Sequence, residues 1–292
     1  MFEKLKARIL LDRLLKRRDI EQAYKMVGPE DSWYQTISTV HASLEQIRQL
    51  PHEDLEITSH DGLKLKAVYY SCGSEKTVIW AHGYTSHAER ESAFPGLFYR
   101  SLGYNVLIPY LRAHGPSEGT YITFGALEHR DMMAWVERIN ERIPKGHIVI
   151  HGLSMGGGIV LDLACQEMKN VRCLVSDAPS VSIDGILHHV TKSVFKRGYD
   201  LVYDHVSTRF ANLFGVNAAE FDRVQNISNA KYSILLTAGS EEHMDEVLKS
   251  IQDRCPTEAQ VLILPGCNHG NGMYKQTKLY QDTIKEFLAR YV

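Results

Sequence analysis

Six short, almost unbroken apolar runs, "TVIWAHG", "YNVLIPY", "HIVIHG", "VRCLVSDAP", "SILLTAG" and "AQVLILPG", recur from Thr77 onward and restrict the fold more than any other feature. A strand that is apolar on both sides must be covered on both sides, which is the situation in a sheet flanked by helices. Helix-length segments such as "ALEHRDMMAWVERINER" and "GGGIVLDLACQEM" lie between the runs, so strand and helix alternate six times. The expected fold class is α/β, a mostly parallel central sheet flanked by helices. Before it, "LEITSHDGLKLKAVYY" alternates apolar and polar residues around Asp61-Gly62 and predicts an antiparallel hairpin at the sheet's edge.

Two regions fall outside this alternation. Leu5, Ile9, Leu10, Leu14 and Leu15 recur at helical spacing, which predicts a helix over residues 2–26, stopped at Gly28-Pro29. A second helix is expected from about Trp33 to Leu50, ending at Pro51. Residues 1–50 thus read as a helical extension and 51–292 as the main domain. Within that domain, roughly 50 residues separate the strand ending near Ser180 from the one beginning near Tyr232, too long for a plain connection. This insertion, about residues 181–230, reads as a helical cap that sets substrate choice. Its Ile183, Ile186, Leu187 and Val190 lie at helical spacing and are expected mainly to hold the cap down.

Composition narrows the function classes. A chain of 292 residues with 44% hydrophobic content can bury a large core, and a net charge of -2 gives no reason to expect nucleic acid as a partner. The five cysteines show no zinc-binding or redox spacing and read as mostly buried thiols; no metal or cofactor is expected. With "ILL" the longest apolar run near the N-terminus, no export segment is expected and the cytoplasm is the expected compartment. The first 26 residues carry eight basic and four acidic groups. A basic helix of this kind is expected to dock on its own domain or on a second subunit, leaving a homo-oligomer open; contact with an anionic membrane surface is the less favoured reading.

The chemistry is expected at the carboxyl ends of the strands, where parallel sheets bind ligands. "GLSMG", Gly152 to Gly156, places Ser154 on a sharp strand-to-helix turn flanked by glycines, with the N–H of Met155 at the start of the next helix. A serine needs a base, and His269 in "LILPGCNHG" follows the last strand. The base in turn needs a carboxylate, and "LLTAGSEEHMDEV" offers Glu241, Glu242, Asp245 and Glu246. The backbone N–H of Tyr84, in "AHGYTSH", is placed to share an oxyanion with that of Met155. His82 reads as a shaper of that loop, whereas His87, His114 and His151 have no comparable claim to be the base.

Together these residues resemble the α/β-hydrolase superfamily, in particular bacterial serine hydrolases of the esterase and acyl-peptidase-like type, over about residues 53–292. The resemblance includes His82-Gly83, "RAHGPSEG" from Arg112 to Gly119, the elbow "GLSMGG", "SDAPS", and "PGCNHG". It implies the triad Ser154, His269 and Glu242, because the family's G-x-x-D acid falls on Glu242 counting from Gly239, with Asp245 and then Glu241 as second choices. Arg112, His114 and Ser117 are implied as supports of the loop under the site. The implied activity is hydrolysis of carboxylic esters through an acyl-enzyme on Ser154. The alternatives are amide, peptide or thioester hydrolysis at the same site, or a non-catalytic ligand-binding role.

Overall fold

The computed structural model of the chain describes residues 2–18 and 33–292. Its sheet has eight strands: β1 (Glu53–Thr58), β2 (Lys64–Tyr70), β3 (Lys76–Ala81), β4 (Asn105–Pro109), β5 (His147–Leu153), β6 (Val171–Asp177), β7 (Ser233–Gly239) and β8 (Ala259–Leu264). Their order across the sheet is β1-β2-β4-β3-β5-β6-β7-β8. The hairpin β1–β2 joins β4 antiparallel, and β3 to β8, the six apolar runs, are parallel. Strand order reverses at β3, with β4 on one side and β5 on the other, and such a switch point opens a crevice at the strands' carboxyl ends.

The continuous apolar runs divide between two cores by the two-residue period of a strand. Ile79, Leu107, Ile150, Leu174 and Leu236 enter one core, and Val78, Val106, Val149, Cys173 and Leu235 the other. The first is covered by α1 (Phe2–Leu15), α4 (Glu128–Arg142), α5 (Met155–Ala164) and α9 (Asp245–Arg254); the second by α2 (Ile37–Arg48), α3 (Ala88–Ser101) and the last helix, Thr277–Leu288. Of the five free thiols only Cys173 and Cys267 are fully buried, and Cys72 is exposed, so the expectation of mostly buried cysteines is corrected. Among the described residues no helix is long and apolar enough to cross a membrane.

The first helix ends earlier than expected. After Leu15 the backbone is captured by a neighbouring segment, with Ile122 N donating to Leu15 O and Arg17 N to Thr120 O, so leucine periodicity gives way to a bridge between Lys16 and Tyr121. Residues 19–26 of the expected helix lie outside the described residues. The second helix is a 3-10 turn, Tyr34–Thr36, followed by α2.

Between β6 and β7 lie α6 (Ile183–Phe195), α7 (Tyr199–Phe214) and the short α8 (Arg223–Asn226). Ser182 caps α6 by accepting from Gly185 N at 3.0 Å, and α7 ends at Gly215 with φ 70°, where glycine avoids the cost of a left-handed Cβ. Ile183 and Leu187 are buried, and α7 packs along α1 through Val202, Val206 and Phe210. At the end of the insertion the buried Arg223 guanidinium grips Asp162 of α5 with contacts of 3.0 and 2.7 Å, and also donates to Phe124 O and Ser180 O. Removing one partner of such a pair strands the other charge. Arg223→Met is expected to lower stability by about 3–5 kcal/mol in urea unfolding. Lys249→Met, which breaks an exposed pair with Asp253, should cost no more than about 0.5 kcal/mol; equal losses would contradict the assignment.

Candidate active site

Only Ser154 separates β5 from α5, and it takes φ 60° and ψ −112°, a conformation costly for any residue with a Cβ. The surrounding backbone enforces it. A Cβ on Gly152 would lie 2.3 Å from Gly156 O, and one on Gly156 would lie 1.9 Å from Ala81 O, so the strand, the helix and β3 meet with no room for side chains. Ser154 N donates to Asp177 O at 2.8 Å, and Ser154 O accepts from Gly158 N and Ser180 N, each at 3.0 Å. With its backbone pinned, the hydroxyl stands clear of the sheet.

His269 lies on the loop after β8, three strands from β5, a gap of about 14 Å. The loop reaches back across the strand ends and places Nε2 2.8 Å from Ser154 Oγ. Glu242 follows β7, and its Oε2 lies 2.6 Å from His269 Nδ1. Its Oε1 accepts from Gly239 N at 2.7 Å, which leaves the carboxylate nearly buried beside a half-exposed imidazole. The loops after β7 and β8 are joined by Glu241 N donating to Cys267 O at 3.0 Å and Gly266 N to Ser240 Oγ at 2.9 Å. Thus Glu242 meets the imidazole, whereas Glu241 turns to Ser240 and Asp245 stands exposed in the first turn of α9.

These partners determine the tautomer. A carboxylate can only accept, so Nδ1 carries the proton and Nε2 is left to accept from the Ser154 hydroxyl. The hydrogen bond to Glu242 raises the His269 pKa above its ordinary value, more than burial lowers it.

The loop after β3 lies against the elbow, since a Cβ on Gly83 would come within 3.5 Å of Ser154 Cβ. His82 is buried; its Nε2 accepts from Leu111 N at 3.1 Å and its Nδ1 donates to Gly83 O at 2.8 Å, and burial holds the ring neutral. Glu91, at the start of α3, accepts from Gly83 N at 3.1 and 3.0 Å and from Trp80 Nε1 at 3.0 Å. Burial pushes this carboxyl up to about 7. The N–H groups of Tyr84 and Met155 follow these anchored positions, and among the described residues neither donates to a backbone carbonyl.

A second network underlies the elbow. Asp177 accepts from Thr237 Oγ1 at 2.6 Å and Tyr280 Oη at 2.8 Å. Since that hydroxyl proton is committed to Asp177, the His151 Nε2, 3.1 Å away, donates to Tyr280, and His151 Nδ1 accepts from Tyr99 at 3.0 Å. Burial raises Asp177 to about 6 and lowers His151 to about 3, so the histidine stays neutral. Sequence reasoning missed Glu91, which stands among polar residues in "HAERES", and this role of His151, whose one local clue was its place inside the apolar run "HIVIHG".

Arg112 is buried between Asp131, at 2.7 Å, and Asp61, at 2.9 Å; Ser117 Oγ donates to Tyr110 O at 2.6 Å and His114 Nδ1 to Arg112 O at 2.9 Å. Among the described residues, His60, Asp61 and Asp131 form a cluster of metal-ligand type, and there the Arg112 guanidinium supplies the positive charge between the carboxylates.

A cavity of about 480 Å³ opens beside Ser154. Leu153, Tyr84, Arg90 and Tyr274 line it, and its far wall is Trp33, Thr36, Ile37, Val40 and His41. Among the described residues, none that lines this cavity comes from 181–230, and its far wall is supplied by residues 33–41. The reason is packing: α7 leans on α1 and α6 on α7, whereas α2 lies on α3, whose first turn flanks the site.

The family model of the alpha/beta hydrolase fold matches residues 76–260. An uncharacterized protein of Bacillus subtilis is 32% identical over 257 residues, 85% of this chain and 83% of that one. The chain belongs to the alpha/beta hydrolase fold family. A multifunctional-autoprocessing repeats-in-toxin protein of Vibrio vulnificus is 33% identical over 129 residues, 42% of this chain, and the match spans only 2% of the toxin. A second such toxin, from Vibrio cholerae, is matched over 3% of its length. Among solved structures, an esterase of Pyrococcus furiosus is 27% identical, with a TM-score of 0.66, covering 84% of this chain and 93% of that one. Est1E from Butyrivibrio proteoclasticus, solved with ferulic acid, is 18% identical with a TM-score of 0.64, covering 81% and 98%, a likeness of fold alone.

For this alpha/beta hydrolase, the hydrogen bond between Glu242 and His269 has a titration signature. Nuclear magnetic resonance should find His269 losing its proton above the ordinary value of 6.5. In Glu242→Gln the midpoint should fall, because the imidazolium loses the charged hydrogen-bond acceptor that contributes most to raising it. An unchanged midpoint would show that the carboxylate does not govern the ring.

Proposed function

We propose that this chain is a serine hydrolase cleaving carboxylic esters through an acyl-enzyme on Ser154. The observation that carries the reading is the continuous path from Glu242 through His269 to Ser154 Oγ, with contacts of 2.6 and 2.8 Å. His269 Nε2 takes the hydroxyl proton as Oγ forms a bond to the ester carbonyl carbon, and the oxyanion settles between the N–H groups of Tyr84 and Met155. The imidazolium returns the proton to the departing alkoxide, and water, activated by the same ring, then frees the acid. Glu242 stabilises the charged ring throughout. The likeness to the Pyrococcus furiosus esterase supports ester bonds as substrates.

The cavity supports an apolar acyl group. Its wall includes Leu153, Ile37, Val40 and Tyr274, and its volume of about 480 Å³ suits a small ligand. Substrate length is therefore set by α2.

A panel of p-nitrophenyl esters beside aminoacyl amides and thioesters tests the reaction class. Esters should turn over fastest, and Ser154→Ala should lower that turnover by about 10⁴-fold or more; preferential amide or thioester cleavage would move the assignment within the family, and tight ligand binding with no turnover would replace it by a binding role. Val40→Trp should cut turnover of long-chain esters by about tenfold or more while leaving the acetate ester within about threefold; an unchanged chain-length profile would remove α2 from substrate selection. Glu91→Gln presents an amide N–H to a site built from two donors, so kcat should fall by about tenfold or more with the far-ultraviolet spectrum unchanged; unaltered kcat would show that the oxyanion loop holds without the carboxylate.

A further inference from the structure

We propose that the face made by α1 and the adjoining end of α6 docks on an anionic lipid surface. Helix α1 buries Ala7, Leu10, Leu11 and Leu15, and on its opposite side Phe2, Leu5 and Ile9 are 65%, 52% and 46% exposed. Their spacing of three and four residues makes one stripe. Val194 of α6, 56% exposed, and Ile9 line a single apolar groove of about 330 Å³ between the two helices. Lys6, Arg13 and Arg18 rim that groove, and Lys6 Nζ stands over the rings of both Phe2 and Phe195. Such stems cover apolar surface while the charged head stays in water, where it meets anionic headgroups.

The charge is uneven. Lys4, Lys6, Arg8 and Arg13 lie on α1, and Lys192, Lys196 and Arg197 lie at the end of α6. Of the acids on α1, Glu3 lies near Lys6, and Asp12 is engaged by Lys16 at 3.1 Å and Arg209 at 4.0 Å. An apolar stripe bordered, among the described residues, by an excess of cations complements the headgroup zone of an anionic bilayer and repels a second copy of itself. The face also adjoins the site: Leu14 O accepts from the Tyr84 hydroxyl, and Arg18 lies 6.0 Å from the Tyr84 ring. Docking would therefore set the oxyanion loop close to the lipid, whatever bond is cleaved there.

The full chain should sediment with phosphatidylcholine vesicles containing phosphatidylglycerol and bind pure phosphatidylcholine about tenfold or more weakly, with binding reduced by salt. The double variant Leu5→Glu/Ile9→Glu should lose at least about tenfold in vesicle binding, with hydrolysis of a short soluble ester unchanged; Val194→Glu, which leaves α1 intact, should act in the same direction. Equal binding to both vesicle types, no binding by the wild type, or variants that sediment like the wild type would overturn the proposal. So would analytical ultracentrifugation without lipid showing a dimer that these substitutions dissociate, since the face would then be covered by a second copy.

Discussion

The strand-to-helix turn at Ser154 is the constraint on which the rest of the molecule depends. With one residue between β5 and α5, the direction change forces φ to 60°, and the backbones of Gly152, Gly156 and Ala81 pack so closely that no Cβ fits. That contact does more than expose a hydroxyl. It locks α5 onto β3, so the loop leaving β3 falls beside Ser154 and the first amides of α5 face the same point. Positive helix-end potential, the two proposed oxyanion donors and the proposed nucleophile thus share one piece of backbone geometry.

Around that turn the protein gathers three carboxyl groups and gives each a different environment. Glu242 is held by Gly239 N and meets the imidazole; Asp177 is committed to Thr237 and Tyr280, with burial raising it to about 6; Glu91 is committed to Gly83 and Trp80, with burial raising it to about 7. Separate environments give like groups separate tasks. Glu242 meets the ring, Asp177 ties β6 to Thr237 and Tyr280, and Glu91 holds the backbone of the loop after β3 in place.

The parts legible in the sequence were those whose cause is local. Strands β3 to β8 announced themselves because two-sided burial leaves a continuous apolar run, and Ser154 because its turn requires glycines at fixed offsets. His269 followed from its place after the last strand, and Glu242 only from a family pattern, since four acids crowd that loop. What depends on distant packing was hidden. No glycine or proline interrupts the sequence between Leu15 and Gly28, but bonds to residues 120 and 122 end the helix at Leu15. Glu91 sits in the first turn of α3, where an acid usually serves the helix dipole in solvent, and only the fold brings it under Gly83. The cavity wall on α2 was invisible for the same reason, because which helical layer overhangs the switch point is decided by contacts between α2 and α3.

Covalent labelling by a fluorophosphonate, read as intact mass, tests most directly whether the elbow hydroxyl is the activated nucleophile. The wild-type chain should gain a single adduct mapping to Ser154, His269→Ala should react far more slowly, and Ser154→Ala should gain nothing. Labelling that persists in Ser154→Ala, or that maps to another side chain in the wild type, would contradict the account.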